Sequence, residues 1–329
     1  MHILILGAAG MVGRKLTERL VKDGALGGKT ISRIDLVDVT APAAPAKAPF
    51  KTTSRAGDVA DPALAGKLIA KKPDVIFLLA AVVSGEAEQN FDKGYAINLD
   101  GTRYLFKAVR QLGLKSGPYH PRIVFTSSVA VFGAPFHAAI SDEFFHTPLT
   151  SYGTQKAICE LLLSDYTRKG FFDGVGIRLP TICVRPGTPN AAASGFFSNI
   201  IREPLAGHEA VLPVGEDVRH WHASPRSGVN FLIRAATIDG AAVGPRRNLT
   251  MPGVSVTVGE QIAALRRVGG EKVVARIKRV PDPAIIKIVA GWPSNFDAQR
   301  ATALGFKSET SFDEIIRAHV EDELGGKIA

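Results

Sequence analysis

His2-Ile3-Leu4-Ile5-Leu6-Gly7-Ala8-Ala9-Gly10-Met11-Val12-Gly13 is the stretch whose reading decides the fold. Its aliphatic run predicts a strand buried on both faces, and the glycines allow a tight turn into a helix over Met11 to Asp23. Gly7 would permit the turn, Gly10 would let backbone amides approach a pyrophosphate at the positive helix N-terminus, and Gly13 would let helix and strand touch. The spacing is Gly-x-x-Gly-x-x-Gly rather than the commoner Gly-x-Gly-x-x-Gly, so the turn needs support from the rest of the chain.

The composition narrows the choice. A chain of 329 residues with 46% hydrophobic and 22% charged residues can bury a large core and is not disordered. Its formal charge is +9, but the basic residues are scattered, with no run beyond Lys71-Lys72, Arg246-Arg247 or Arg266-Arg267 and no aromatic-basic ladder. This argues against a nucleic-acid partner and for small anionic ligands. Two cysteines, Cys159 and Cys183, do not make a disulfide scaffold, so a reducing cytoplasm is the expected setting. No membrane partner is expected, because no apolar segment reaches spanning length and the N-terminus lacks a secretory pattern.

Downstream, strands and helices alternate. Arg33 to Asp38 reads as a second strand, with Asp38 placed to accept hydrogen bonds from a ribose, which favours NAD over its 2′-phosphorylated form. Ala41 to Pro49 reads as an extended loop, Lys51 to Gly57 as a strand, and Asp61-Pro62 as a helix start. Val75 to Leu79 is a further buried strand ending in small residues, Phe91 to Leu112 a helix containing Asn98, and Arg122 to Phe125 a strand. Tyr152 to Arg168 reads as a helix and Val175 to Arg178 as a strand. The alternation predicts an α/β fold with a doubly wound parallel sheet over residues 1–178. Residues 179–329 break the pattern and predict a smaller substrate domain, with a segment near 222–241 returning to the sheet. Its later helices would open with the capping boxes Thr257-x-x-Glu260 and Ser311-x-x-Glu314.

Chemistry concentrates at two places. Thr126-Ser127-Ser128 ends a strand at the edge where open α/β sheets bind ligands, and Tyr152 and Lys156 share one helical face four residues apart. A phenol titrating near 10 is a poor base at neutral pH, and a nearby ammonium together with an oxidised nicotinamide would favour the phenolate. Tyr152 could then take the proton of a substrate hydroxyl while hydride leaves for the cofactor. A helical Tyr that packs while Lys is solvated is the ordinary alternative. The joint occurrence of glycine turn, Asp38, the serine-rich strand end and the Tyr-Lys pair argues against it.

With these residues the chain resembles the extended short-chain dehydrogenase/reductase family, which includes nucleotide-sugar epimerases and dehydratases. The resemblance covers essentially the whole length. It implies a Rossmann-type sheet with a smaller C-terminal substrate-binding domain, and NAD as cofactor. By motif, Gly7, Gly10 and Gly13 would bind pyrophosphate, with Met11 and Val12 also on the cofactor, Asp38 would bind the adenosine ribose, Asp58-Val59 the adenine and Ala80-Ala81 the middle of the cofactor. Asn98 and Pro180 would complete that set. Ser128 would hold the substrate oxygen, Tyr152 would act as base, and Lys156 would bind the nicotinamide ribose.

Two departures from the family pattern stand out. Phe132 occupies a position often held by Tyr in sugar-nucleotide enzymes, and Ser127-Ser128-Val129 lacks the acid expected of dehydratases. Arg178 to Gly187 and Arg219 to Arg226 look most like the family's NAD-dependent dehydrogenases of four-carbon sugar acids. That implies oxidation at C2 of an acid such as erythronate to its 2-oxo acid. Ser84, Ser127, Ser128, Tyr152, Thr181, Arg185, Asn199 and Arg219 are the candidate substrate contacts, with Arg185 or Arg219 as the carboxylate clamp. His220 and His222 could share a strand face, but no third ligand accompanies them and no metal is expected. A nucleotide-sugar epimerase and a non-catalytic NAD-sensing regulator are the alternatives. Apolar positions on more than one face of the helices near Asn98 to Leu112 and Ala157 to Tyr166 suggest a homodimer.

Overall fold

The opening strand does form, as β1 (His2–Leu6), with Ile3 to Leu6 almost fully buried in a computed structural model describing residues 1–187 and 193–329. The helix α1 (Met11–Asp23) follows, burying Leu16 and Leu20 and ending at Gly24, whose left-handed backbone lets its amide bond Leu20. Next come β2 (Arg33–Asp38), β3 (Lys51–Ala56), α2 (Pro62–Ile69) and β4 (Val75–Leu78). The Asp61 side chain caps α2 at the Ala63 amide, as its Asp-Pro signal predicts.

The helical run beginning at Phe91 is longer and less regular than expected. It widens into a π-turn over Tyr95–Asp100 before continuing as α3 (Gly101–Ser116). The Asn98 carbonyl there accepts from Thr102 Oγ1 at 2.8 Å and Cys159 Sγ at 3.3 Å. Then follow β5 (Arg122–Ser128), α4 (Ser151–Arg168) and β6 (Asp173–Leu179).

All these strands pair in parallel, and the seven-stranded sheet gains a last edge strand, β9, at Asn248–Thr250, in the order β9-β6-β5-β4-β1-β2-β3. Between β6 and β9 lie β7 (Thr181–Ile182), α5 (Gly195–Leu205), β8 (Arg219–Ala223) and α6 (Pro225–Thr237). The return to the main sheet thus reaches beyond 222–241. It includes β9, and Ala301 and Phe306 join the same apolar core as α1 and α6. A second core under residues 183–324 gathers Phe196, Phe197, Ile262, Leu265 and Ile316 around α5 and α7 (Val258–Gly269). The Thr257–Glu260 capping box forms, whereas at Ser311 the Glu314 carboxylate reaches back to Thr310 instead. Among the described residues no helix is long and apolar enough to cross a membrane.

Burial holds three histidines neutral: it pushes His220 and His319 down to about 4 and His222 well below its ordinary value. An unfolded histidine titrates near 6.5, so the unfolded chain binds protons first and stability falls as pH drops below about 6.5. The loss at His319 alone is about 2 kcal/mol by pH 5. Asp35 and Glu160 are held low by their cationic partners and act only in more acid solution. We expect the urea midpoint to fall between pH 7 and pH 5, and His319→Leu to make that fall shallower. A midpoint constant across this range would contradict it.

Candidate active site

The C-terminal ends of β1, β4, β5 and β6 open on one cavity of about 400 Å³. Gly7, Gly10, Met11, Val12 and Gly13 form one side, and Gly7 turns with φ +89°. A Cβ on Gly7 would stand 2.5 Å from the Ala80 amide nitrogen, and one on Gly13 would overlap the Gly7 carbonyl and come within 2.7 Å of Ala8 Cα. At Gly10 nothing lies nearer than 3.4 Å, and no side chain caps α1 there. The first-turn amides therefore face open space where an anion can sit, which fits the pyrophosphate of a dinucleotide.

Asp38 lies at the end of β2, its carboxylate accepting from the amides of Ala9 at 2.8 Å and Val39 at 2.7 Å. Asp58 accepts from the Ala60 amide, and Val59 packs against Gly101. Asp38, Asp58, Val59 and Ala80 lie outside the cavity wall, while Ala81 and Ser84 line it. Asn98 also lies behind the wall. It is buried and clasps the Val82 backbone, accepting from its amide at 2.9 Å, and donates to Gln155 at 2.7 Å. Its side chain is thus spent on shaping the strand end rather than on direct contact with a ligand.

Ser128, Tyr152, Lys156, Pro180, Thr181 and Arg185 all line the cavity. Thr150 caps α4 at the Gly153 amide, which fixes the first turn carrying Tyr152. Lys156 is buried and donates to the Thr126 carbonyl at 2.8 Å, with its ammonium 5.7 Å from the centre of the Tyr152 ring. Burial pushes Lys156 down to about 8, against the pull of Cys159 and Glu160. Burial likewise pushes the Tyr152 phenol up, opposed by a hydrogen bond with Ser128 and by the charge of Arg185. The lowering that the sequence reading assigns to Lys156 is therefore not achieved by the protein's own groups. The lysine is turned to a backbone carbonyl, and burial wins.

Ser127 lines the cavity beside Ser128, with its hydroxyl donating to Glu160 at 2.5 Å. Two of the expected substrate contacts, Arg219 and Asn199, are corrected. Arg219 is 41% exposed and bonds outward to Ser255 and Glu260. Asn199 accepts from Arg202 and lies behind the cavity wall. Arg185 instead faces the cavity, steadied by the Ile182 carbonyl at 3.0 Å and Ser194 Oγ at 2.8 Å.

Glu160, one turn beyond Lys156, was not singled out by the sequence. It is fully buried, takes a forked bond from Arg178, and lies 2.9 Å from His146 Nε2. Burial would raise its carboxyl, but Arg178 and His146 hold it at about 2. Arg178 in turn stacks 5.0 Å over Phe132. The only signal in the chain was an acid at i, i+4 from Lys156 on the buried side of α4. The far wall, Gly291-Trp292-Pro293, was also missed.

A profile of the NAD dependent epimerase/dehydratase family matches residues 3–224. A D-erythronate dehydrogenase of Cupriavidus necator is 46% identical over 98% of this chain and 98% of its own length. One of Haemophilus influenzae is 41% identical over 98% of this chain and 100% of its own. A crystal structure described as a nucleoside-diphosphate-sugar epimerase from Agrobacterium tumefaciens superposes with a TM-score of 0.98 at 66% identity, covering 100% of this chain and 96% of that one. The chain is an NAD-dependent oxidoreductase acting on a CH–OH group. With the profile spanning residues 3–224 and relatives matched nearly end to end, the chain belongs to the NAD dependent epimerase/dehydratase family.

Proposed function

We propose that this protein oxidises the C2 hydroxyl of a small polyhydroxy acid, D-erythronate foremost, to the 2-oxo acid. The observation that carries the reading is the meeting of Ser128, Tyr152, Lys156 and Arg185 in one cavity bounded by the glycine turn. The names of the full-length relatives support it. NAD, when bound, supplies the hydride acceptor. Ser128 holds the substrate hydroxyl, Tyr152 accepts its proton as C2 gives up hydride, and Lys156 secures the ribose beside them. Arg185 pairs with the substrate carboxylate, which orients C2 toward Tyr152. The glycine turn, with Met11 and Val12, holds the pyrophosphate. Asp38 holds the adenosine ribose, Asp58 and Val59 flank the adenine, and Ala81 and Pro180 lie along the rest of the cofactor.

The direct test is NADH formation by the purified protein with D-erythronate. A nucleotide-sugar epimerase is the second reading, favoured by the description attached to the 66% identical structure. Epimerisation of a UDP-sugar without added NAD, together with no oxidation of any sugar acid, would select it. A non-catalytic NAD-sensing regulator would oxidise neither.

Cofactor choice follows from Asp38. Asp38→Asn keeps an acceptor for the Ala9 amide but removes the charge that repels a 2′-phosphate, so the preference for NAD over NADP should shrink by roughly tenfold or more. Equal efficiency with both cofactors before mutation would remove the basis of this assignment.

The reading includes a homodimer. Leu161 on α4 is 64% exposed, and Ile158 and Leu162 beside it are half-buried, which leaves an apolar stripe for a partner helix. Light scattering at micromolar concentration should give twice the chain mass, and a monomer mass would refute this. A cytoplasmic setting is part of the same reading, supported by two free, buried cysteines and checked by cell fractionation.

A further inference from the structure

Among the described residues His220 belongs to no group of three ligating side chains. Its surroundings give it another use. β7 pairs in parallel with β8 at Thr181–His222, and alternation puts His220 and His222 on one side of the strand. Thr181 Oγ1 lies 2.7 Å from His220 Nε2, and both residues line the cavity between Pro180 and Trp292, beside Arg185.

The imidazole cannot swing away from this contact. Its ring stacks on Phe197 at 5.1 Å with 5° between the planes, meets His222 edge-on at 5.3 Å, and touches Trp292 at 5.3 Å. Behind it, His222 is itself fixed by Gln261 at 2.8 Å. The Thr181 hydroxyl is thereby held in one orientation. A hydroxyl offers one donor and two acceptor positions, so one contact with the imidazole leaves capacity turned to the cavity.

We propose that Thr181 and His220 form a hydroxyl-reading pair, in which His220 orients Thr181 to bond a substrate hydroxyl other than the one oxidised. This rests on the sugar-acid reading and sharpens it. The pair selects acids carrying a further hydroxyl over simple 2-hydroxy acids. A site built around a buried polar group discriminates against an analogue lacking the matching group, because the protein's own donor or acceptor is then left unpaired. Burial and the neighbouring Arg185 keep His220 neutral at physiological pH, so the pair suits an uncharged hydroxyl better than a second carboxylate.

The test compares kcat/KM for erythronate, which has hydroxyls at C2, C3 and C4, with that for 2-hydroxybutanoate, which keeps only the first. Thr181→Val and His220→Phe should each lower the ratio of the two values by roughly tenfold. Thr181→Ser and His220→Gln, which retain a hydrogen-bonding pair, should preserve it. If both substrates lose efficiency together and the ratio stays constant, the pair is merely structural and the proposal fails. Thr181→Val keeps the test open should His220→Phe not fold. A wild-type protein that oxidises neither acid would overturn the sugar-acid reading itself, and the proposal with it. That outcome is visible before any variant is made.

Discussion

Tyr152→Phe should lower turnover by on the order of a hundredfold or more, because a positioned general base typically contributes that much. NAD affinity should stay near that of the unmutated protein, since the ring remains and only the oxygen is lost. The structure makes the demand on this residue sharper than the sequence did. Burial raises its phenol, and among the described residues Ser128 and Arg185 oppose that without overcoming it, so deprotonation must be coupled to the arrival of ligand charge. The activity of the unmutated protein should therefore rise with pH in the direction of alcohol oxidation. A Phe variant that kept most of its activity from pH 7 to pH 10 would transfer the role of base to another group.

Arg185→Leu should raise KM for the acid by roughly ten- to a hundredfold with a smaller change in kcat, since a charge-assisted pair with the carboxylate forms already in the ground state. Arg185→Lys keeps the charge but not the fork that bonds Ile182 and Ser194, and should fall between the two. Arg219→Ala provides the contrast. Its guanidinium is an exposed partner of Glu260, so KM should move by no more than about twofold. A large KM effect at Arg219 and none at Arg185 would exchange their assignments.

Much of this molecule was written in short-range patterns. The β1 turn and α1 followed from an aliphatic run and glycine sterics, both properties of adjacent residues. Tyr152 and Lys156 followed from a four-residue spacing that any helix places on one face. The helix starts at Asp61 and Thr257 were equally local, because a cap needs only three or four residues.

What the tertiary structure decided are the relations between distant strands. That the Ser127 hydroxyl is taken up by Glu160 while Ser128 stays beside Tyr152 depends on how α4 lies across β5, whose own place is set by pairing with distant strands. The choice between Arg185 and Arg219 depends on the pairing of β8 with Thr181–Ile182 at one end and with Val254–Thr257 along its length, which leaves Arg219 at the far end beside Thr257, and residue spacing does not encode that. The seventh strand at Asn248–Thr250 is three residues long, too short for a periodic signal, and exists because β6 offers it an edge. Glu160 carried no reading in the sequence, and Arg178 was only the end of a strand. They became a buried pair only when α4 was laid across the sheet and their hydrogen bonds offset the cost of taking both from water.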